Sequence, residues 1–136
     1  MNNVTLAKSY LEKAKVRLKV LHLLMQEEAY SDVIREAQEA VELALKGMLR
    51  HIGVEPPKQH DVGYLLLEYS HKLPAEIVPN LQAIVSISRW LRKEREFSFY
   101  GDVDFIPTLE YTRPDGERAC RDLETVLKAA EKTVIG

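Results

Sequence analysis

Apolar residues recur along most of this chain at a spacing of three and four. Ala7, Leu11, Ala14, Leu18, Leu21 and Met25 hold one stripe over residues 4–26. That period keeps the stripe on one face of a helix, and Thr5 or Asn3 can cap its start. Lys8, Lys13, Lys15, Arg17 and Lys19 fall off the stripe and make the other face basic. Tyr30, Ile34, Ala37, Val41, Ala44 and Met48 repeat the pattern in a second helix that runs to about Ile52, with Ser31 as the expected N-cap and Asp32 in its first turn. Ala37, Ala40, Ala44 and Gly47 add a strip of small residues, which lets neighbours approach closely and makes this helix central. Gly53 and Pro56-Pro57 end it.

After the polar loop 53–60, Asp61 is placed to cap a short apolar run through Val62, Leu65, Leu66 and Tyr69. His71 to Pro74 interrupts that run, and Pro79 predicts a bend or restart. Ile77, Leu81, Ile84, Ile87 and Leu91 then mark a third long helix. Pro107, Pro114 and Gly116 exclude continuous helix across 102–116. Ala119, Leu123, Val126, Ala130 and Val134 give a last helix over 115–134, capped by Asp115 or Thr112. Nowhere does period-two alternation run long enough for a strand. The expected fold is all-α: an antiparallel four-helix bundle with one additional short or broken helix.

Composition narrows the function classes. A chain of 136 residues with 46% hydrophobic and 29% charged residues suits one soluble domain, residues 1–136. A net charge of −2, from 19 basic and 21 acidic side chains, argues against a duplex-DNA binder. Cys120 is the only cysteine, which excludes an intrachain disulfide and a cysteine zinc cage; a small buried hydrophobe is the expected role. The N-terminal residues lack a signal-peptide layout, and no apolar run reaches the roughly 20 residues of a membrane helix, so a cytoplasmic protein without a membrane partner is expected.

One stretch gathers chemistry. In Arg89 to Asp102, RWLRKEREFSFYGD, Arg89, Arg92 and Arg95 share one helix face; Phe97, Phe99 and Tyr100 follow, and Gly101-Asp102 breaks the helix. This is the expected site for an anionic ligand, with Arg89, Arg92, Arg95, Tyr100 and Asp102 as its binding residues; the alternative is a solvated helix end with ordinary ion pairs. Trp90, Phe97, Phe99, Phe105 and Tyr111 lie near it and suit an interface, a ligand platform, or a cover for the bundle's open end.

Other chemistry finds no local support. Grouped phosphate-loop glycines are absent, and the histidines at 22, 51, 60 and 71 show no metal-binding pair, so no metal or cofactor is expected. Arg17 and His22 have a nuclease-like gap, but five residues of helix turn the two side chains about 140° apart.

The helix from Tyr30 to Leu49, the Pro56–Asp61 turn, the arginine helix with its Tyr-Gly break and the alanine-bearing tail together resemble the HEPN domain family over nearly the whole chain. That resemblance implies a small helical bundle acting as a homodimer, often beside a minimal nucleotidyltransferase in a toxin–antitoxin pair. Active members resemble metal-independent ribonucleases, with an Arg followed after four to six residues by a His. Here Arg95 has the gap, but Tyr100 stands where His is expected. A phenol, with a solution pKa of about 10, is a poor base at neutral pH. The expected function is therefore a module, not itself catalytic, that binds a nucleotide, an RNA phosphate or a nucleotidyltransferase partner. An RNA-cleaving toxin using Tyr100 and a plain protein-interaction bundle are the alternatives.

Overall fold

A computed structural model of the chain describes residues 3–58 and 62–135. Six α-helices occur among the described residues: α1 (Asn3–Gln26), α2 (Tyr30–His51), α3 (Gly63–Glu68), α4 (Leu81–Phe99), α5 (Pro107–Glu110) and α6 (Arg113–Val134). Single 3₁₀ turns at Ser70–Lys72 and Val78–Asn80 carry the interruption and restart expected around Pro74 and Pro79. No strand forms among these residues beyond an isolated bridge between Asp102 and Phe105. The fold is an all-α bundle of α1, α2, α4 and α6, with two short helices between them.

The apolar stripes are the faces that pack. Ala7, Leu11, Ala14 and Leu21 of α1 are buried, as are all five predicted stripe residues of α6. Ile77, Leu81, Ile84, Ile87 and Leu91 are buried too, from the approach to α4 onward. α2 is buried on most of its circumference, from Val33 to Leu49, because α1, α4 and α6 all pack against it. Its small residues allow this: a Cβ on Gly47 would sit 3.2 Å from the Ala7 carbonyl oxygen and 3.3 Å from Tyr10 Cβ. Cross-helix contacts fix the directions. Lys15 of α1 pairs with Glu131 of α6 at 3.1 Å, and Trp90 of α4 reaches Asp122 of α6. Arg113 lies over Tyr30, so α2 and α6 start together and run against α1 and α4.

Helix ends show where local chemistry was read well and where it was not. Gly53, at φ 83°, closes α2 with Val54 N–H donating to the Leu49 carbonyl and Gly53 N–H to Arg50, the turn glycine favours. α1 ends the same way on a non-glycine: Glu28 takes φ 58°, and Ala29 N–H donates to the Leu24 carbonyl. The chain therefore enters α2 one residue before Ser31. Ala29, not Ser31, is the N-cap, and Ser31 is buried inside the first turn. Thr5 likewise lies within α1. α6 begins two residues earlier than expected, because Pro114 fits a first turn whose N–H groups need no helical acceptor. Thr112 is its cap: the Asp115 carboxylate accepts from the Thr112 N–H at 2.8 Å and from its hydroxyl at 3.0 Å. The cap expected at Asp61 lies outside the described residues.

Candidate functional site

The arginine face of α4 lies along α2, and the two helices meet in a ladder of antiparallel rungs. Arg92 Nη1 donates to Glu42 Oε1 at 3.3 Å. One turn on, Arg95 Nη2 donates to Glu39 Oε1 at 3.0 Å. One turn further, the guanidinium of Arg35 lies 4.3 Å from the centre of the Phe99 ring. Each rung pairs a turn of α4 with a turn of α2, so the register that buries Ile84 and Leu91 also sets these contacts. Both ion pairs are partly solvated, with the Arg95 and Glu39 side chains 44% and 34% exposed.

This arrangement redistributes the charge read from the sequence. Arg92 and Arg95 are held by α2 carboxylates, whereas Arg89 is exposed on the outer side of α4 and forms no ion pair among the described residues. Arg35 likewise forms no ion pair among them. With Arg95, Glu96 and Tyr100, Arg35 lines a groove of about 320 Å³. It also borders a second groove, about 530 Å³, walled by Leu24, Asp32, Glu36 and Phe99. Tyr100 is 72% exposed, and its ring meets Phe99 edge-on at 4.8 Å. Asp102 lies just beyond. Its N–H donates to the Phe105 carbonyl at 2.9 Å and its carbonyl accepts from the Phe105 N–H at 3.0 Å, so its backbone forms a tight turn and its side chain is not part of the groove wall.

Gly101 makes that turn possible. Its φ is 67°, and a Cβ there would collide with the Phe105 carbonyl oxygen and lie 2.5 Å from Pro107 Cδ. The aromatic residues divide on either side. Phe97, Phe105 and Tyr111 meet edge-to-face in series, with centroids 5.5 and 5.6 Å apart, and Tyr111 OH donates to Glu94 Oε1 at 2.8 Å. Burial first, then this bond and the Glu94 charge, push the Tyr111 phenol well above the usual tyrosine range. Trp90 Nε1 donates to Asp122 Oδ2 at 2.8 Å while Arg118 covers its ring, so it fastens α4 to α6. Phe97, Phe99, Tyr100, Val103, Ile106 and Leu109 keep substantial apolar surface outside.

Chemically, the groove offers two guanidinium forks and a phenol, which suit phosphate oxygens, and one carboxylate, Glu96. None of the described histidines, 22, 51 and 71, borders it. Arg17 and His22 do not combine either: Arg17 Nη1 donates to the Lys13 carbonyl at 3.0 Å, and His22 is exposed. No group of three His, Cys, Asp or Glu side chains gathers for a metal among the described residues. No helix of the described residues is long and apolar enough to cross a membrane. Arg35 escaped the sequence reading because it sits among acidic neighbours on an amphipathic helix; only the α2–α4 register brings it to Arg95 and Phe99.

Two comparisons bear on identity. The chain is similar to "Putative toxin MJ1304" of Methanocaldococcus jannaschii, 24% identical over 135 residues that cover 93% of this chain and 86% of that protein. The HEPN domain matches residues 7–133, a span that contains α2, α3, α4 and α5 whole and nearly all of α1 and α6. This chain belongs to the HEPN domain family.

Proposed function

We propose that this chain is the toxin-type member of a toxin–antitoxin pair and that it binds a phosphate of RNA or of a nucleotide between α2 and α4, without a metal and without cleaving it. The observation that carries this reading is the convergence of Arg35, Arg95 and Tyr100 on one groove. Arg35 has no carboxylate partner among the described residues, and the Arg95–Glu39 pair is solvated enough to exchange Glu39 for a phosphate at a cost of about 1 kcal/mol or less. Arg92, one turn back along the same seam, extends the basic edge toward the middle of α4. The name of the relative from Methanocaldococcus supports the toxin assignment.

The partners follow from the same surface. Phe97, Phe99, Val103, Ile106 and Leu109, at the end of α4 and in the connection after it, expose apolar surface, which suits a second copy of the chain in a homodimer. A minimal nucleotidyltransferase is the antitoxin partner that fits a module of this family. Titration of a short single-stranded RNA and of nucleotides into wild type, Arg35→Gln and Arg95→Gln tests the ligand. Loss of roughly tenfold in affinity per arginine is expected. Equal affinity in all three proteins, or none in any, refutes it and leaves a protein-interaction bundle. Light scattering tests the dimer.

A second reading is favoured by Glu96, the one carboxylate in the groove wall. In it, Glu96 takes the ribose 2′-hydroxyl proton, the freed oxygen attacks phosphorus, and Tyr100 protonates the departing 5′ oxygen while the arginines hold the phosphoryl charge. RNA cleavage abolished by Glu96→Gln and by Tyr100→Phe would establish this reading in place of the first.

A further inference from the structure

α1 is apolar on two sides. Ala7, Leu11, Ala14 and Leu21 are its buried residues, and α2 and α6 pack against that inner side. Val16, Val20 and Leu23, spaced by four and three, fall on the opposite side of the helix. Val16 and Leu23 are 55% and 58% exposed, and Val20 is half-buried. The outer stripe runs on into the recess of about 530 Å³ beside it, where Val20 and Leu24 share the wall with Phe99 of α4. A helix that is apolar on both sides is ordinarily covered on both.

The charges around the stripe decide what covers it. α1 carries five basic residues and one acid, Glu12, in a chain whose net charge is −2. Lys15 pairs with Glu131 of α6. Lys13 and Arg17 border the outer stripe on one side and Lys19 on the other. None of these three forms an ion pair among the described residues, and Arg17 donates to the Lys13 carbonyl. A second copy of α1 laid on this face would set basic flanks against basic flanks, which like charges resist, whereas an acidic partner is attracted.

We infer that the outer face of α1 is a docking surface for an amphipathic helix of another protein, one with carboxylates beside its apolar stripe. The partner's carboxylates reach Lys13, Arg17 and Lys19, and its apolar residues cover Val16, Val20 and Leu23. One large side chain enters the recess at Leu24 and Phe99. Asp32 and Glu36 stand on the α2 side of that recess, so the anchor there is uncharged. From Lys13 to Leu24 the surface is roughly 16 Å long, about three turns of helix. None of this depends on a phosphate ligand at the α2–α4 seam.

Two synthetic peptides of about 20 residues test it, each with leucines at three-four spacing, one with glutamates beside the leucines and the other with lysines. In isothermal titration the glutamate peptide should bind the wild-type chain and the lysine peptide should not, with affinity falling as salt rises. Val16→Gln/Leu23→Gln should weaken binding roughly tenfold or more. Lys13→Glu/Lys19→Glu should reverse the preference between the peptides. All four positions are exposed, so both variants should unfold at the wild-type urea midpoint. No binding to wild type, equal binding of the two peptides, or binding that survives Val16→Gln/Leu23→Gln overturns the inference. So does a wild-type oligomer that light scattering shows to dissociate in Val16→Gln/Leu23→Gln, because a second copy then covers the face.

Discussion

Arg95 Nη2 lies 3.0 Å from Glu39 Oε1, and the pair spans the seam between α4 and α2. The carboxylate holds the guanidinium beside Arg35 and Tyr100, and it also competes with any anion that enters. These two roles predict opposite effects of removing either partner. Glu39→Gln should raise affinity for RNA or nucleotide at low salt, whereas Arg95→Gln should lower it. Both side chains are partly exposed, so a double-mutant cycle on stability should give a coupling of only about 0.5 kcal/mol. Urea denaturation with four proteins measures the cycle. A coupling of several kcal/mol would mean that the pair is structural and not available to a ligand.

Tyr100 separates ring from hydroxyl. It is 72% exposed, and among the described residues its ring meets only that of Phe99. Tyr100→Phe and Tyr100→Ala should each change unfolding free energy by under about 0.5 kcal/mol. If the hydroxyl donates to phosphate, the Phe variant already loses affinity, by roughly fivefold for one hydrogen bond. If only base stacking matters, the Phe variant binds normally and the Ala variant does not. Fluorescence anisotropy of a labelled oligonucleotide distinguishes the two.

Gly101 is the hinge of the connection between α4 and α6. Its φ of 67° and the closeness of Pro107 and Phe105 leave no place for a methyl group. Gly101→Ala should destabilise the fold by about 2 kcal/mol, from left-handed strain plus displacement of the 102–107 turn. The midpoint of urea unfolding reads this directly. The same variant should disturb Tyr100, the adjoining residue, so its ligand affinity should drop more than that of Tyr100→Phe.

The four long helices, their order and their buried faces were legible because each carries its own three-four apolar stripe, and burial selects that stripe whatever the partner; the short helix α5 was not, because Pro107 and its neighbours offer only one turn and no stripe. Ala119 through Val134 needed no neighbour to be read as an inner face. The site was legible only in part. Arg89, Arg92 and Arg95 share a face by local geometry alone, but whether a cation is compensated depends on the facing helix. Glu39 and Glu42 reach Arg95 and Arg92 through a register that side-chain packing sets, across 56 and 50 residues of chain. Ser31 failed as a cap for a local reason: Glu28 adopts a left-handed conformation that its residue type does not advertise, which shifts the start of α2.

Tyr111 gives a pH-dependent test of how the outer connection is fastened. Its hydroxyl donates to Glu94 Oε1 at 2.8 Å, and its ring packs on Phe105. Burial, the bond to Glu94 and the Glu94 and Asp115 charges all raise the phenol's pKa in the folded state, whereas in the unfolded chain it returns to about 10. A raised folded pKa means that the proton is bound more tightly in the native state. The stabilisation is therefore fully present below pH of about 10 and is lost as pH climbs beyond it. Tyr111→Phe should cost about 1–2 kcal/mol at neutral pH, for a hydrogen bond to a charged acceptor. The gap between wild type and this variant should stay level to about pH 10 and then narrow, since only wild type carries the titrating group. Thermal unfolding of both proteins from pH 7 to 11 measures the gap, with absorbance at tyrosinate wavelengths following ionisation in parallel. A gap that stays constant throughout that range would show that the Glu94 bond does not hold the proton and that Tyr111 acts through ring packing alone.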